Sequence, residues 1–278
     1  MDTLIQALVM GIVQGLTEFL PVSSSGHLII VPYLLGWDDP FIDSLVFSVM
    51  LHMGTLLALL IYFRADWLRL IPAWVASIRE RSLADDPDRR LAWLILAATI
   101  PAVIAGLLLN DLAETTFRSA NLVAVTLVIG AAILWLAERL ATRSKAIADL
   151  GLVGAVGIGV AQAVALVPGI SRSGISISAG LYFGLTRESA ARFSFLMATP
   201  ITAGAGLFEL RKIVTGDAGV DVSIGPLVVG MVAALIAGLL AIAGLLRFLR
   251  SNSTTIFVVY RFVLAAVVLV AWLGLWDR

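Results

Sequence analysis

Cysteine is absent from this 278-residue chain, which removes disulfides and thiol chemistry and leaves cysteine usage silent about redox compartment. Charge is scarce too. Asp, Glu, Lys and Arg make up 14% of residues, against about 25% in a typical soluble chain. The two signs cancel to a formal net charge of +0, so the basic footprint of a nucleic-acid partner is missing. Residues 1–6 carry Asp2 and no basic side chain, and Gln14 and Glu18 interrupt the apolar stretch that follows. The segment therefore does not read as a signal peptide and is expected to remain in the mature chain. Period-two alternation is lacking as well, which excludes an outer-membrane barrel.

What is abundant is apolar surface: 60% of residues are hydrophobic and the mean hydropathy is +1.01. Runs at 91–109, 122–136, 226–246 and 256–275 approach the roughly 20 residues a helix needs to cross the hydrocarbon core. The composition predicts an all-α polytopic membrane protein embedded in a lipid bilayer.

Two polar strings interrupt this background, Ser23-Ser24-Ser25-Gly26-His27 and Ser171-Arg172-Ser173-Gly174. Hydrocarbon offers no hydrogen-bond partners, so such clusters persist at membrane depth only in a cavity or against one another. Segment 5–20 stops at Pro21 and segment 28–35 is too short to cross alone; 151–167, Pro168-Gly169 and 175–185 repeat that design. Each pair reads as a re-entrant helical hairpin with serines at its tip, the alternative being one proline-kinked spanning helix.

The strings also occupy matching places. Gly11, Gln14, Ser23, Ser25 and Gly26 recur as Gly159, Gln162, Ser171, Ser173 and Gly174, each 148 positions further on. Phe47-Ser48 recurs as Phe193-Ser194, and Ile104-Ala105-Gly106-Leu107-Leu108 as Ile236-Ala237-Gly238-Leu239-Leu240. The order of matches is kept, which predicts one membrane domain built from a repeat at about 1–145 and another at about 150–278. Spans are expected at about 41–63, 92–109 and 120–138 in the first, and about 191–210, 224–246 and 255–275 in the second. Three is odd, so the second repeat is expected upside down, an inverted-topology architecture with about six spanning helices and two re-entrant hairpins.

Gln14 and Glu18 lie four apart, on one helix face just below the Pro21 break. They are candidates for metal binding or base work, with neutralisation of Glu18 by an arginine as the structural alternative. Ser23, Ser24 and Ser25 precede a helix, where hydroxyls cap free N–H groups. His27 is either a hydrogen-bonded packing residue or the base of a nucleophile, base and orienter set. Arg172 supplies a permanent charge whose fork of donors matches phosphate oxygens, unless it serves only as structural glue for Glu18. Gly169 and Gly174 let the backbone come close at a helix N-terminus. Candidate phosphate-binding residues are Ser23, Ser25, Gly26, Ser171, Arg172, Ser173, Gly174 and Ser176. Together these groups point to phosphate chemistry.

The stretch from Gln14 to His27, Gln14-Gly15-Leu16-Thr17-Glu18-Phe19-Leu20-Pro21-Val22-Ser23-Ser24-Ser25-Gly26-His27, resembles the first signature of the bacitracin-resistance type of undecaprenyl-diphosphate phosphatase. Pro168-Gly169-Ile170-Ser171-Arg172-Ser173-Gly174 resembles the second, and the similarity extends through 56–64 and 190–200 over essentially the whole chain. The resemblance implies a bacterial inner-membrane enzyme that hydrolyses the polyisoprenyl diphosphate to the monophosphate and inorganic phosphate, recycling the cell-wall lipid carrier. It also implies a divalent cation, Mg²⁺ or Ca²⁺. The family allows Glu or Gln at the first acidic position, and Gln14 leaves Glu18 as the only carboxylate of the motif. Ser176 stands where many members have Thr.

The expected chemistry has Ser24 attacking the terminal phosphorus, with His27 taking the serine proton and leaning on Glu18. Arg172 and a cation near Glu18 and Gln14 would stabilise the phosphoryl charge. Attack by His27 itself is the second choice.

Basic residues set the orientation: Arg64, Arg69, Arg79, Arg81, Arg89 and Arg90, then Arg139, Arg143 and Lys145, then Arg247 and Arg250 are expected in the cytoplasm. Asp38, Asp39 and Asp43 then lie outside, as do both termini, and the first hairpin opens to the periplasm. Arg211 and Lys212 fall on the outer side, against the trend. The competing class is an inverted-repeat transporter or flippase for a phosphorylated lipid or anion. Small-residue faces such as Gly230, Ala234 and Gly238 suit packing within one subunit or between two, leaving a homodimer open.

Overall fold

The computed structural model describes residues 2–114, 119–215 and 221–273, with side chains at 109–114, 209 and 212 outside the described set. The last residues of the span expected at 255–275, the C-terminus and the Lys212 side chain therefore lie outside the described residues.

Proline and glycine set the breaks between helices. α1 (Thr3–Phe19) opens on Asp2, whose carboxylate accepts from the Leu4 N–H, and it stops at Leu20, held extended by Pro21 behind it. α2 (Ser24–Leu35) closes on Gly36 at φ 64, a left-handed C-cap that glycine adopts without steric cost. The order continues with α3 (Leu45–Tyr62), α4 (Arg64–Glu80), α5 (Pro87–Glu114), α6 (Ala120–Leu140), α7 (Leu152–Val164), α8 (Arg172–Tyr182), α9 (Arg187–Thr215), α10 (Ile224–Leu249) and α11 (Thr255–Trp272). No strand forms among the described residues. Among the described residues six helices, α3, α5, α6, α9, α10 and α11, are long and apolar enough to cross a membrane. Their outward faces carry exposed Leu, Ile and Val, such as Leu107 and Leu240, as expected where lipid is the solvent.

One expectation is corrected. The segment after Arg64, taken from its charges as a polar loop, forms the helix α4 instead. Its arginines conceal an apolar face: Trp67, Leu70 and Trp74 recur three and four residues apart and pack against the main core, enough to hold an amphipathic helix against α5.

The helices pair in an interleaved way. α1 lies against α10, α7 against α5, α3 against α9 and α6 against α11. Glycine permits close approach in these pairs: a Cβ added to Gly15 would stand 2.6 Å from the Ala234 carbonyl oxygen and from the Ala237 Cβ. Gly15→Val is expected to lower stability by about 1–3 kcal/mol through overpacking, read as a lower unfolding temperature in detergent.

Each short helix pair begins and ends at one place. The Thr3 hydroxyl at the start of α1 donates to Asp39, just past α2, at 2.7 Å. Segment 144–145 before α7 bonds Gly184 and Thr186, just past α8. Near the latter end, ion pairs tie helix ends together. Glu138 of α6 accepts from Arg143, Arg187 and the Thr254 hydroxyl, and Asp66 of α4 accepts from Arg192 of α9 at 2.7 Å through both oxygens.

Candidate active site

The two polar strings meet. Ser23 and Ser171, the residues before α2 and α8, both adopt φ 75, a conformation that costs a non-glycine residue of order 1–3 kcal/mol and collects at functional sites. Each uses its hydroxyl in the same manner. Ser23 Oγ accepts from Gly26 N at 3.3 Å and Ser171 Oγ from Gly174 N at 3.1 Å. The tips then tie to each other reciprocally: Gly169 N donates to Ser23 Oγ at 3.1 Å, and Ser173 Oγ donates to the Leu20 carbonyl at 2.9 Å. The first turns of two helices, with their free N–H groups, are thereby fixed side by side.

Glu18, almost wholly buried, sits beneath this junction. Its Oε1 accepts from Arg172 Nη2. Its Oε2 accepts from Ser24 Oγ at 2.5 Å and from Gln14 Nε2 at 2.9 Å, with His52 Nε2 at 3.4 Å. Arg172 also reaches the Thr202 hydroxyl on α9 through Nη1, at 3.3 Å. Ser24, Ser25 and Arg172 are part-exposed at the junction, whereas Ser23, Ser171 and Ser173 are buried. A hydroxyl on a carboxylate, beside a guanidinium that keeps donors to spare, forms a ready phosphoryl-transfer arrangement.

Residues 7–267 match the family described as Bacitracin resistance protein BacA. The chain belongs to the BacA family. It is 47% identical over 266 residues to the undecaprenyl-diphosphatase of Rubrobacter xylanophilus, covering 95% of this chain and 97% of the relative. Against the undecaprenyl-diphosphatase of Gemmatimonas aurantiaca the identity is 48% over 266 residues, 96% and 97% of the two chains. For that of Thermomicrobium roseum it is 45% over 272 residues, 95% and 96%.

In this BacA-family site His27 has a partner on each ring nitrogen. Its Nδ1 lies 2.7 Å from the Ser23 carbonyl, so that nitrogen carries the proton. Its Nε2, at 2.7 Å from the Tyr260 hydroxyl, is left to accept from it. Both nitrogens are engaged, and Ser24 donates to Glu18 rather than to His27. The imidazole holds the tip against α11 through Tyr260, and the group within hydrogen-bond reach of the Ser24 hydroxyl is the Glu18 carboxylate. Ser176 also turns aside, bonding the Arg172 carbonyl and Ser194 Oγ, each at 2.6 Å; it fixes α8 to α9. Gly26 and Gly174 present their N–H groups to the capping serines, and Ser25 lies 3.4 Å from Ser23 Oγ. His27→Gln, which keeps a donor and an acceptor at the tip, is expected to lower kcat/KM by less than about 100-fold in a phosphate-release assay, well short of the loss from removing the base.

The donor set offers a divalent cation only part of a coordination shell. Among the described residues no group of three His, Asp or Glu converges on one point, and both Glu18 oxygens are engaged. One acceptor is free: Gln14 Oε1 is buried without a partner. Mg²⁺ is commonly held by one or two carboxylates plus substrate phosphates, and Gln14 Oε1 with Glu18 fits that partial role. Four contributors escaped the sequence reading: His52, Thr202, Tyr260 and Arg261. For His52 and Arg261 the signal was present, since an ionisable residue within an apolar span is a site candidate by default.

Proposed function

We propose that this chain is an undecaprenyl-diphosphatase of the bacterial inner membrane, hydrolysing the polyisoprenyl diphosphate to the monophosphate and inorganic phosphate and so recycling the cell-wall lipid carrier. Bacitracin resistance follows from faster removal of the diphosphate. The observation that carries the reading is the Ser24 hydroxyl on Glu18 at 2.5 Å, beside Arg172.

Ser24 Oγ attacks the terminal phosphorus while its proton passes to Glu18. The bond from that phosphorus to the bridging oxygen breaks, and the lipid monophosphate leaves. As the anion of a phosphate monoester it is a good leaving group and needs no acid of its own. Glu18 releases that proton to solvent, and water then attacks the phosphoserine and gives its own proton to the freed carboxylate. The Ser24 oxygen–phosphorus bond breaks, Ser24 recovers a proton and phosphate departs. Arg172 and the N–H groups of α2 and α8 hold the phosphoryl oxygens, where charge positioning supplies most of the rate. A divalent cation, Mg²⁺ or Ca²⁺, held by Gln14 and Glu18 with the diphosphate, would neutralise part of the substrate's charge.

Two further parts of the proposal concern architecture. α1 to α6 and α7 to α11 form inverted repeats, each opening on a re-entrant hairpin. The interleaved pairing of α1 with α10 and α7 with α5, together with the matching serine turns, supports this. The basic helix ends face the cytoplasm and the site opens to the periplasm.

Phosphate release from a long-chain isoprenyl diphosphate by the purified chain is the test, with Arg172→Ala alongside and with and without chelator. The expected result is chelator-sensitive release, reduced at least about 1,000-fold in the variant. A folded wild type that releases none, but moves the lipid between leaflets, would replace the phosphatase with the flippase.

A further inference from the structure

Arg261 of α11 is completely buried, at 0% exposure, and no carboxylate pairs with it among the described residues. Its Nη2 donates to the carbonyls of Gly169 and Ile170, at 2.7 and 2.9 Å. Its Nε and Nη1 have no partner. The chain makes room for it: a Cβ on Gly174 would stand 3.0 Å from Nη1, and one on Gly130 would overlap the guanidinium. An unneutralised guanidinium inside a membrane protein is costly and is retained where it serves a ligand or a charge pathway.

Its position defines the ligand. The guanidinium grips two successive carbonyls of the turn that leads into α8. In a trans peptide the N–H points opposite to the C=O, so the grip turns the Ser171 N–H away from Arg261. Among the described residues nothing accepts from that N–H, and it adjoins the free N–H groups opening α8. A cation packed behind a helix N-terminus adds to the positive end of the helix dipole, an unfavourable pairing until an anion sits in front.

We infer that Arg261 is a positioning residue for phosphate: from behind α8 it aims the turn's N–H groups and adds a fixed positive charge that raises affinity for phosphate oxygens. It rests on the phosphatase reading for its substrate but not for its test, because inorganic phosphate is the probe.

Two variants separate charge from bracing. Arg261→Gln keeps an amide donor for the carbonyls but no charge; Arg261→Lys keeps the charge. The dissociation constant of inorganic phosphate, measured by titration calorimetry on the full-length protein in detergent, is expected to rise at least about tenfold in Arg261→Gln and by less than about threefold in Arg261→Lys. In turnover the Gln variant raises KM for the isoprenyl diphosphate with kcat changed little, because the charge acts on bound substrate and transition state alike. Wild-type phosphate affinity in a folded Arg261→Gln, or equal losses in both variants, overturns the inference. If neither variant folds, hydrogen exchange at 169–174 of the wild type decides: slowing on phosphate addition is expected, and unchanged exchange overturns it. Phosphate binding without lipid hydrolysis would sink the phosphatase reading and leave this inference standing.

Discussion

Ser24→Ala is expected to reduce hydrolysis of the isoprenyl diphosphate by about 10⁴-fold or more, the scale at which loss of a nucleophile leaves only the rest of the site to act. The change is small in volume and lies at a part-exposed residue, and the capping of α2 rests on Ser23, not Ser24. The variant should fold and still bind substrate, so KM stays near wild type while kcat collapses. Steady-state kinetics beside a thermal unfolding curve checks both halves. A Ser24→Ala protein that keeps a tenth of wild-type turnover would remove serine from the mechanism.

Glu18→Gln carries the second large effect, a fall in kcat of about 10³-fold, within the range for a positioned general base and equivalent to about 4 kcal/mol of barrier. Glutamine occupies the same space but cannot hold the serine proton, and its amide group must face one of three donors: Arg172, Ser24 or Gln14. The same substitution strips Arg172 of its counter-charge. Two consequences therefore run in opposite directions. Turnover falls, while an Arg172 released from Glu18 binds phosphate more tightly, so product inhibition by inorganic phosphate should strengthen. Phosphate-inhibition constants measured on the residual activity check this. A general loss of affinity would show that Glu18 acts through the fold instead.

The course of the chain was legible because hydrocarbon imposes a simple rule: a span must be long, apolar and helical. All six long helices follow from that rule, and Pro21 and Pro168-Gly169 announced the breaks. α4 was not legible, because charge counting hides an amphipathic face whose tryptophans and leucine recur at helical spacing. In the site, the residue types of both strings and their meeting were readable from the isolation of polar groups in an apolar chain. Their roles were not. Gln14 and Glu18 share a helix face by arithmetic, yet the partner of His27 lies 233 positions away at Tyr260, and only tertiary structure shows that the imidazole is occupied. The same limit hid Thr202, a hydroxyl on a span with nothing local to mark it, whereas the apolar setting of His52 and Arg261 was a signal left unread.

Rapid-quench trapping of the phosphoenzyme tests the central claim most directly. The chain is mixed with isoprenyl diphosphate labelled in the terminal phosphate, quenched during the first turnover in parallel in acid and in neutral detergent, and digested for mass spectrometry. The account predicts an acid-stable phosphate on Ser24, formed before free phosphate appears and absent from Ser24→Ala. An acid-labile phosphate on His27, or labelled inorganic phosphate released with no phosphoenzyme before it, would contradict it.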